Sequence, residues 1–417
     1  MNFKTICFYL FNMKKICVIG SGISGLSISK MLSDKGYDIS IYESNNKPGG
    51  LIKCKIVEGA VYHKVGGHVF NTKIPEVKKW FNEKVNFENE FIPSKRNAKI
   101  LFKKRIVNYP IENNIYQLDD ETIKSIVNDL IGLKENSINE NYDEFLKNTF
   151  GETLYKLYFL PYNKKIWNID LSLIPLDWLK GKLPMPKIRD ILLSNFKRTS
   201  ENIMVHSEFY YPKNNGSQHI VNSLSNGLNI NYNTKINKIT KNKNKWIVNG
   251  ELFDHVIYTG DLRILKDLIK LEIDNEHFKS NGTTNVFCEI EESDISWLYI
   301  PSNKIASHRI IFSGNFSPNN NGNFINTCTI EYSGFKHLKD IKKDIVKLPY
   351  NIRILDYNYE PLSYIIQTKE TKKISKKIKL NLEKDNFHLL GRFAEWEYYN
   401  MDTAINSSIK LFNKIFK

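Results

Sequence analysis

The hydrophobic pattern of this chain changes period several times, and each change marks an element. Four consecutive apolar residues, Ile16-Cys17-Val18-Ile19, are bounded by a glycine and predict a strand buried on both faces, as in a parallel sheet. Ile23, Leu26, Ile28 and Leu32 then form the apolar side of a helix, and Asp38 to Tyr42 predicts a second strand. Ala98 to Val107 alternates like a strand and ends at Asn108-Tyr109-Pro110. From about Asp119 to Lys197 the pattern is helical, with Ile123, Ile126, Val127, Leu130 and Ile131 three and four residues apart. Leu228 to Val256 reads as short strands around Asn-Gly and Asn-Lys turns, and Val256-Ile257-Tyr258-Thr259-Gly260 as a return to the first sheet. Thr284 to Ile330 is strand-rich, and Phe387 to Phe416 reads as a strand, a turn at Gly391 and a helix carrying Ile405, Ile409, Leu411 and Ile415. There is no internal repeat and no low-complexity linker. A chain that begins and ends with the same α/β elements implies a discontinuous nucleotide domain interrupted by two insertions.

The first forty residues of that pattern carry chemistry. Gly20, Gly22 and Gly25 follow the first strand in G-x-G-x-x-G spacing. Gly20 allows the tight turn, Gly22 lets the backbone approach a pyrophosphate, and Gly25 lets the helix lie close to the sheet. The helix N-terminus offers free N–H groups and a positive dipole end to phosphates. Glu43, at the end of the second strand, is placed to accept hydrogen bonds from a ribose. A second glycine pair, Gly49-Gly50-Leu51, follows at once and favours FAD over NAD, because such a turn keeps the backbone close to the dinucleotide. In Val65-Gly66-Gly67-His68-Val69-Phe70, small residues and a histidine can lie against a flat ring.

Composition narrows the remaining possibilities. The 417 residues with 41% hydrophobic content suffice for two or three cores. Five scattered cysteines without C-x-x-C pairs indicate neither a disulfide framework nor a zinc site, and they fit a reducing, cytoplasmic setting. No apolar run reaches the roughly 18 residues that span a bilayer. Met13 is a plausible start, with residues 1–12 an extension. The net charge of +15 comes from lysines spread through a chain also rich in Asn and Ile. Nucleic acid is therefore not implied, although a positive field would speed encounter with an anionic substrate.

Three aromatic and polar clusters lie outside the cofactor unit: Tyr109-Pro110-Ile111-Glu112-Asn113-Asn114; Tyr158 through Tyr162, Asn163 and Trp167; and Trp297-Leu298-Tyr299 with Pro301, followed by Ser307-His308-Arg309. Aromatic faces beside amides suit stacking and edge recognition of a base, and arginine suits phosphate because its planar fork donates in pairs. A fourth motif, Gly391-Arg392-Phe393-Ala394-Glu395-Trp396-Glu397-Tyr398, lies near the C-terminus. Taken in order, Gly-Gly-His-Val, Tyr-Pro-x-x-Asn-Asn, Tyr-Asn-x-Lys-x-Trp, Trp-Leu-Tyr-x-Pro, Arg-x-x-Phe-Ser-x-x-x-Ser-Pro and Gly-Arg-Phe-x-x-Trp-x-Tyr resemble the UDP-galactopyranose mutase family, the eukaryotic type more than the common bacterial one. The likeness runs from Lys14 to Phe416.

The resemblance implies an α/β fold: a Rossmann-like FAD-binding domain formed by residues 13–75, 205–265 and 385–417, a helical insertion with a mobile loop at 115–200, and an antiparallel sheet substrate domain at 76–114 and 270–380. It implies that Gly66, Gly67 and His68 lie against the isoalloxazine with Arg392 beside it, and that Asp402 fixes the cofactor at the N-terminus of the last helix. Tyr109 and Asn163 would hold the uridine with Tyr158 and Tyr162 in the same wall, Trp167 would lie near the sugar, and Trp297 and Tyr299 would close the nucleotide side. Arg309, Tyr398 and one of Tyr357 or Tyr359 would grip the diphosphate. The implied activity interconverts pyranose and furanose forms of a UDP-hexose, most simply UDP-galactose, through attack of reduced flavin N5 on the anomeric carbon, with NAD(P)H as external reductant. No metal is implied, and a homo-oligomer is compatible with the pattern. Two departures stand out. The family's mobile-loop arginine appears as Lys182, which keeps charge but loses the bidentate fork, and its base-contacting glutamine appears as Glu112. The competing readings are a flavin oxidoreductase of the amine oxidase or protoporphyrinogen oxidase type, which would need an apolar substrate cavity, and a sugar-nucleotide-binding protein without turnover.

Overall fold

The computed structural model describes residues 14–134, 138–176, 186–198 and 208–416. Its first strand, Lys15–Ile19, has Ile16, Cys17 and Val18 fully buried, as an apolar run flanked by parallel neighbours requires. It pairs in parallel with Asp38–Tyr42 on one side and His255–Tyr258 on the other. The outer strands of this five-stranded sheet are Ile230–Asn231 and Phe387–Leu389, so three distant parts of the chain build one sheet. The helix Ile23–Asp34 packs on it beside the last helix, Met401–Ile415.

The short strands expected between Leu228 and Val256 divide. Ile239–Asn242, Lys245–Val248 and Glu251–Phe253 form a separate antiparallel meander, whose Trp246 and Phe253 pack on the sheet's core, while Ile230–Asn231 and His255–Tyr258 join the parallel sheet. Strand Glu208–Pro212 also stays out of that sheet, pairing instead with Phe91–Lys95.

A seven-stranded sheet forms the second layer, in the order Ile352–Ile365, Ser280–Ile290, Asn326–Ser333, Arg309–Ile311, Trp297–Tyr299, Ala98–Phe102, Arg105–Asn108. It is antiparallel except where Trp297–Tyr299 runs parallel to Ala98–Phe102. The alternation read as one strand from Ala98 to Val107 is a hairpin turning at Lys103, whose φ is +55°. Helices Asp120–Gly132, Tyr142–Leu154, Leu160–Trp167 and Ile188–Lys197 cover one end of the sheet and share an aromatic core with it that includes Phe145, Phe150, Phe159, Trp297 and Phe316. Between the second and third of these helices, Tyr155–Phe159 forms a π-helical turn, with one more residue per turn than the α-helix around it.

Two histidines are locked together at the edge of the parallel sheet. His255 Nδ1 and His388 Nε2 lie 3.1 Å apart, one necessarily the donor and the other the acceptor, so the contact needs the accepting ring neutral and is broken once both rings are protonated. Burial, with Lys14 near one and the neighbouring imidazole and Lys414 near the other, lowers them to about 4 and about 3. Neutral imidazole thus stabilises the fold fully above pH 6.5, and that stabilisation is lost as pH falls below it, where the unfolded chain takes up protons first. Thermal melts should show a midpoint that falls between pH 7 and pH 4.5; a constant midpoint over that interval would contradict the pairing.

Candidate active site

The glycine turn after the first strand is fixed by sterics. Gly20 sits at φ +106°, its N–H donates to Tyr42 O at 2.8 Å, and a Cβ there would collide with the Thr259 hydroxyl. At Gly25 a Cβ would strike the Gly20 carbonyl. The two glycine motifs meet in space: a Cβ on Gly50 would lie 3.0 Å from Gly22 Cα, so the backbones touch with no room for side chains. Gly22, Gly49, Gly50, Leu51, Thr259, Gly391 and Arg392 line a cavity of about 140 Å³ at the N-terminus of helix Ile23–Asp34. This narrow, backbone-walled cradle at a helix N-terminus fits a pyrophosphate, and Gly22, Gly50 and the first turn of that helix would hold it.

Glu43 has a different place from the one expected. Its Oε2 accepts from Ser21 N and Ser21 Oγ, both at 2.8 Å, and its Oε1 from Asn45 N at 2.8 Å and Asn45 Nδ2 at 2.7 Å. Burial alone would raise its carboxyl, but these donors, led by the Ser21 and Asn45 amides, hold it below the ordinary value. The carboxylate therefore staples the glycine turn to the loop after the second strand, and it lines neither cavity of the cleft.

A second cavity, of about 210 Å³, adjoins the first, and His68, Arg392, Asn400 and Met401 line both. His68 Nε2 is buried without a hydrogen-bond partner. Burial, reinforced by His63, Arg392 and Arg309, depresses the imidazole to about 3, so it is a neutral ring at the junction. Gly66 brings this loop against Arg309, since a Cβ there would lie 3.3 Å from Arg309 Nη2. Gly67 is equally required, because a Cβ would lie 2.6 Å from Ile311 Cγ2. Arg392 is anchored by Tyr399 O and, at 3.0 Å, by Ser363 O, and its guanidinium covers the Tyr398 ring at 4.7 Å. Asp402 lies inside the first turn of the last helix and lines the second cavity, not the glycine cradle; burial raises its carboxyl.

Arg309 faces the second cavity with Glu331 behind it. Its Nε bonds the fully buried Glu331 carboxylate, and its Nη2 donates to Tyr364 Oη at 2.9 Å. Burial would raise Glu331, but Arg309 and then His308, 3.2 Å from Oε2, hold it at about 2. The tyrosine beside Arg309 is thus Tyr364, with Tyr398 stacked on it at 6.1 Å. Tyr357 and Tyr359 do not reach the cleft: they are 43% and 40% exposed, and Tyr359 packs on Phe335. Strand Ile352–Ile365 enters the cavity wall only at its C-terminal end, through Ser363 and Tyr364. Tyr364 lacked a sequence signal because its neighbours Leu362 and Ile365 read as ordinary core.

The outer wall is aromatic. Trp297 and Tyr299 line the cavity; Tyr109 packs on Tyr299 at 5.1 Å, Tyr162 meets Tyr299 edge-on at 5.5 Å, and Tyr158 stacks on Tyr162 at 5.8 Å with the rings 4° from parallel. Arg96, which carries no motif, lies within this wall, over the rings of Tyr109 at 4.9 Å and Trp297 at 5.5 Å, and bonds Tyr299 Oη. Asn163 is committed internally: its Nδ2 donates to Phe159 O at 2.8 Å, and its Oδ1 accepts from Tyr142 Oη at 3.1 Å and Trp167 Nε1 at 3.3 Å. It aligns Trp167, which meets Tyr364 and Tyr398 edge-on at 6.0 and 5.9 Å. Glu112 is buried at 5% exposure. Lys182 lies outside the described residues. Among the described residues no helix is long and apolar enough to cross a membrane.

Residues 18–83 match the NAD(P)-binding Rossmann-like domain model, the segment holding both glycine motifs. The chain is 24% identical to the dTDP-fucopyranose mutase of Escherichia coli over 95% of this chain and 97% of that protein, and 22% identical to the UDP-galactopyranose mutase of Mycoplasma genitalium over 96% and 94%. Among solved structures, reduced UDP-galactopyranose mutase superposes with a TM-score of 0.87 at 20% identity, covering 97% of this chain and 94% of that one. Over nearly its whole length the chain is thus similar to the sugar-nucleotide pyranose mutases. Putrescine oxidase shares the fold more loosely, with a TM-score of 0.64 at 12% identity. The Rossmann-like match and these neighbours support a flavin cofactor, FAD.

Glu43→Gln replaces an acceptor-only group with one that presents an N–H₂ to donors already in place. The variant should retain markedly less FAD after gel filtration, read from the ratio of flavin to protein absorbance. Wild-type retention would show that the staple does not shape the cradle.

Proposed function

We propose that this chain is a flavin-dependent mutase that interconverts the pyranose and furanose forms of a nucleoside diphosphate hexose, with a UDP-hexose such as UDP-galactose as substrate. The observation that carries this reading is the second cavity: a cationic, aromatic-walled cleft opening directly onto the neutral His68 at the edge of the cofactor cradle. An amine or porphyrinogen oxidase calls for an apolar substrate cavity, whereas Arg309, Arg392 and Arg96 all line this one.

Held by Gly22, Gly50 and the first turn of helix Ile23–Asp34, reduced FAD would supply a nucleophilic N5 for the anomeric carbon, with NAD(P)H as its reductant. The residues of the chain bind, orient and balance charge. Arg309 takes the diphosphate and stabilises the charge that develops as it departs; Glu331 behind it fixes the guanidinium plane, and Tyr364 and Tyr398 flank it. Lys182 is assigned to the same diphosphate, as a point charge in place of a fork. Trp297, Tyr299, Tyr109, Tyr158 and Tyr162 form the wall for the nucleoside, with Asn163 and Trp167 setting its inner end and Glu112 near the base. His68, being neutral, adds no charge beside the sugar and can accept or donate one hydrogen bond there.

Dithionite-reduced protein incubated with UDP-galactofuranose should produce the pyranose without consuming stoichiometric reductant. Undiminished turnover by the fully oxidised protein, or steady oxygen consumption in place of isomerisation, would exclude the mutase chemistry. Charge-assisted bonds to phosphate contribute about 1.5–3 kcal/mol, so Arg309→Ala should lower turnover by at least roughly tenfold with an unaltered flavin spectrum. Parallel assays with a dTDP-hexose decide whether uridine is the preferred base.

A further inference from the structure

The motif Tyr162-Asn163-Lys164-Lys165-Ile166-Trp167 sends its aromatic and amide groups to the cleft wall, but Lys165 lines neither cavity. Its ammonium instead enters a cage of four backbone carbonyls: Ile300 O at 2.9 Å, Ser302 O at 2.5 Å, Ile305 O at 2.7 Å and Ser307 O at 3.1 Å. All four belong to the turn joining strand Trp297–Tyr299 to strand Arg309–Ile311, which pair antiparallel with Tyr299 opposite Arg309. The two ends of the caged turn are thus one wall residue and the principal cation of the substrate cavity. From the other side, Asp344 clamps the same turn by its amides, accepting from Ala306 N at 2.7 Å and Ser307 N at 3.0 Å. The helix that carries Lys165 is itself tied to the sheet, because Asn281 Nδ2 donates to Ile166 O at 2.8 Å and Trp167 O at 2.5 Å.

We propose that Lys165 is a positioning residue for substrate binding: its ammonium fixes the turn between Tyr299 and Arg309 and so sets both side chains for the diphosphate-bearing ligand. This deepens the mutase reading and rests on it. A carbonyl cage attracts a cation and repels a neutral amine's lone pair, so positioning depends on protonation. Burial, opposed by Asp344, lowers Lys165 to about 8. The other titratable and charged groups about the cage are Asp344, Lys347 at 3.4 Å from it, the exposed Lys164 and Lys304, His308 and Tyr332. Burial, with Arg309 and Lys165 nearby, keeps His308 below its ordinary value against the pull of Glu331, and burial pushes Tyr332 far up, so neither changes charge between pH 7 and 9. The folded-state value lies below the ordinary lysine value, so the protonated cage is complete below about pH 7 and is lost as pH rises through 8.

The test is calorimetric titration of the FAD-loaded, reduced full chain with UDP from pH 6.5 to 9. Wild-type affinity should be level to pH 7 and fall roughly fivefold or more by pH 9. Lys165→Met, of similar length but uncharged, should bind UDP roughly tenfold more weakly at pH 7, as expected when charge-assisted contacts are lost, with no alkaline decline and with flavin content and spectrum unchanged. Wild-type UDP affinity and pH profile in Lys165→Met would overturn the proposal. So would a level wild-type curve to pH 9, which decides the matter even if the variant does not fold. A wild-type chain that retains FAD but binds no UDP at any pH overturns the mutase reading and this inference with it, whereas turnover and UDP binding that ignore Lys165 overturn only the latter.

Discussion

A guanidinium enclosed by aromatic rings is stable only if something behind it answers its charge, and Glu331 does this for Arg309. The carboxylate is fully buried and shares its Oε2 between the Arg309 Nε and the neighbourhood of His308. Removing either partner would strand a buried charge, which costs several kcal/mol, so the pair is held together more firmly than its net attraction suggests. Everything on the substrate side is built outward from this pair. Tyr364 accepts from the remaining edge of the guanidinium, Tyr398 stacks on Tyr364, Arg392 covers Tyr398, and the His68 loop approaches closely because residue 66 is a glycine.

The cofactor side works by the opposite means, with close backbone approach replacing charge pairing. Gly22 and Gly50 touch without side chains, Gly20 and Gly25 admit no Cβ, and the carboxylate present, Glu43, is turned inward to hold the turn. Among the described residues, the two halves of the cleft share His68, Arg392, Asn400 and Met401. At that boundary the Arg392 guanidinium is held by Tyr399 O and Ser363 O, and His68 adds a polar but neutral ring beside it.

Local sequence pattern shows much of this arrangement and hides a definable part. The strand, glycine triplet and helix are contiguous, so their signal survives without tertiary context, and the return of Val256 to Tyr258 to the first sheet was visible as an apolar run ending in Thr-Gly. Long-range pairing was not visible: nothing in Glu208–Pro212 indicates Phe91–Lys95 as its partner. Arg96, Tyr364 and Glu331 escaped because each sits singly in a strand or loop and acquires meaning from residues dozens to hundreds of positions away. Tyr357 or Tyr359 was expected from the family resemblance, but Tyr364 near the end of the same strand is the one brought to Arg309. Glu43 and Asn163 were expected to face a ligand, yet the structure gives both of them hydrogen bonds within the protein.

The π-helical turn at Tyr155–Phe159 has a consequence for how this segment can change length. One extra residue advances everything after it by about 100° around the helix axis, since an α-helix has about 3.6 residues per turn. The phase in which Tyr162 faces Tyr299, Asn163 reaches Trp167 and Lys165 enters its cage exists only with that residue present. Shortening the turn to regular α-helix would leave the residue types intact and rotate all of them off their partners together. A single insertion or deletion here therefore breaks all of these contacts at once, whichever residue type is added or removed.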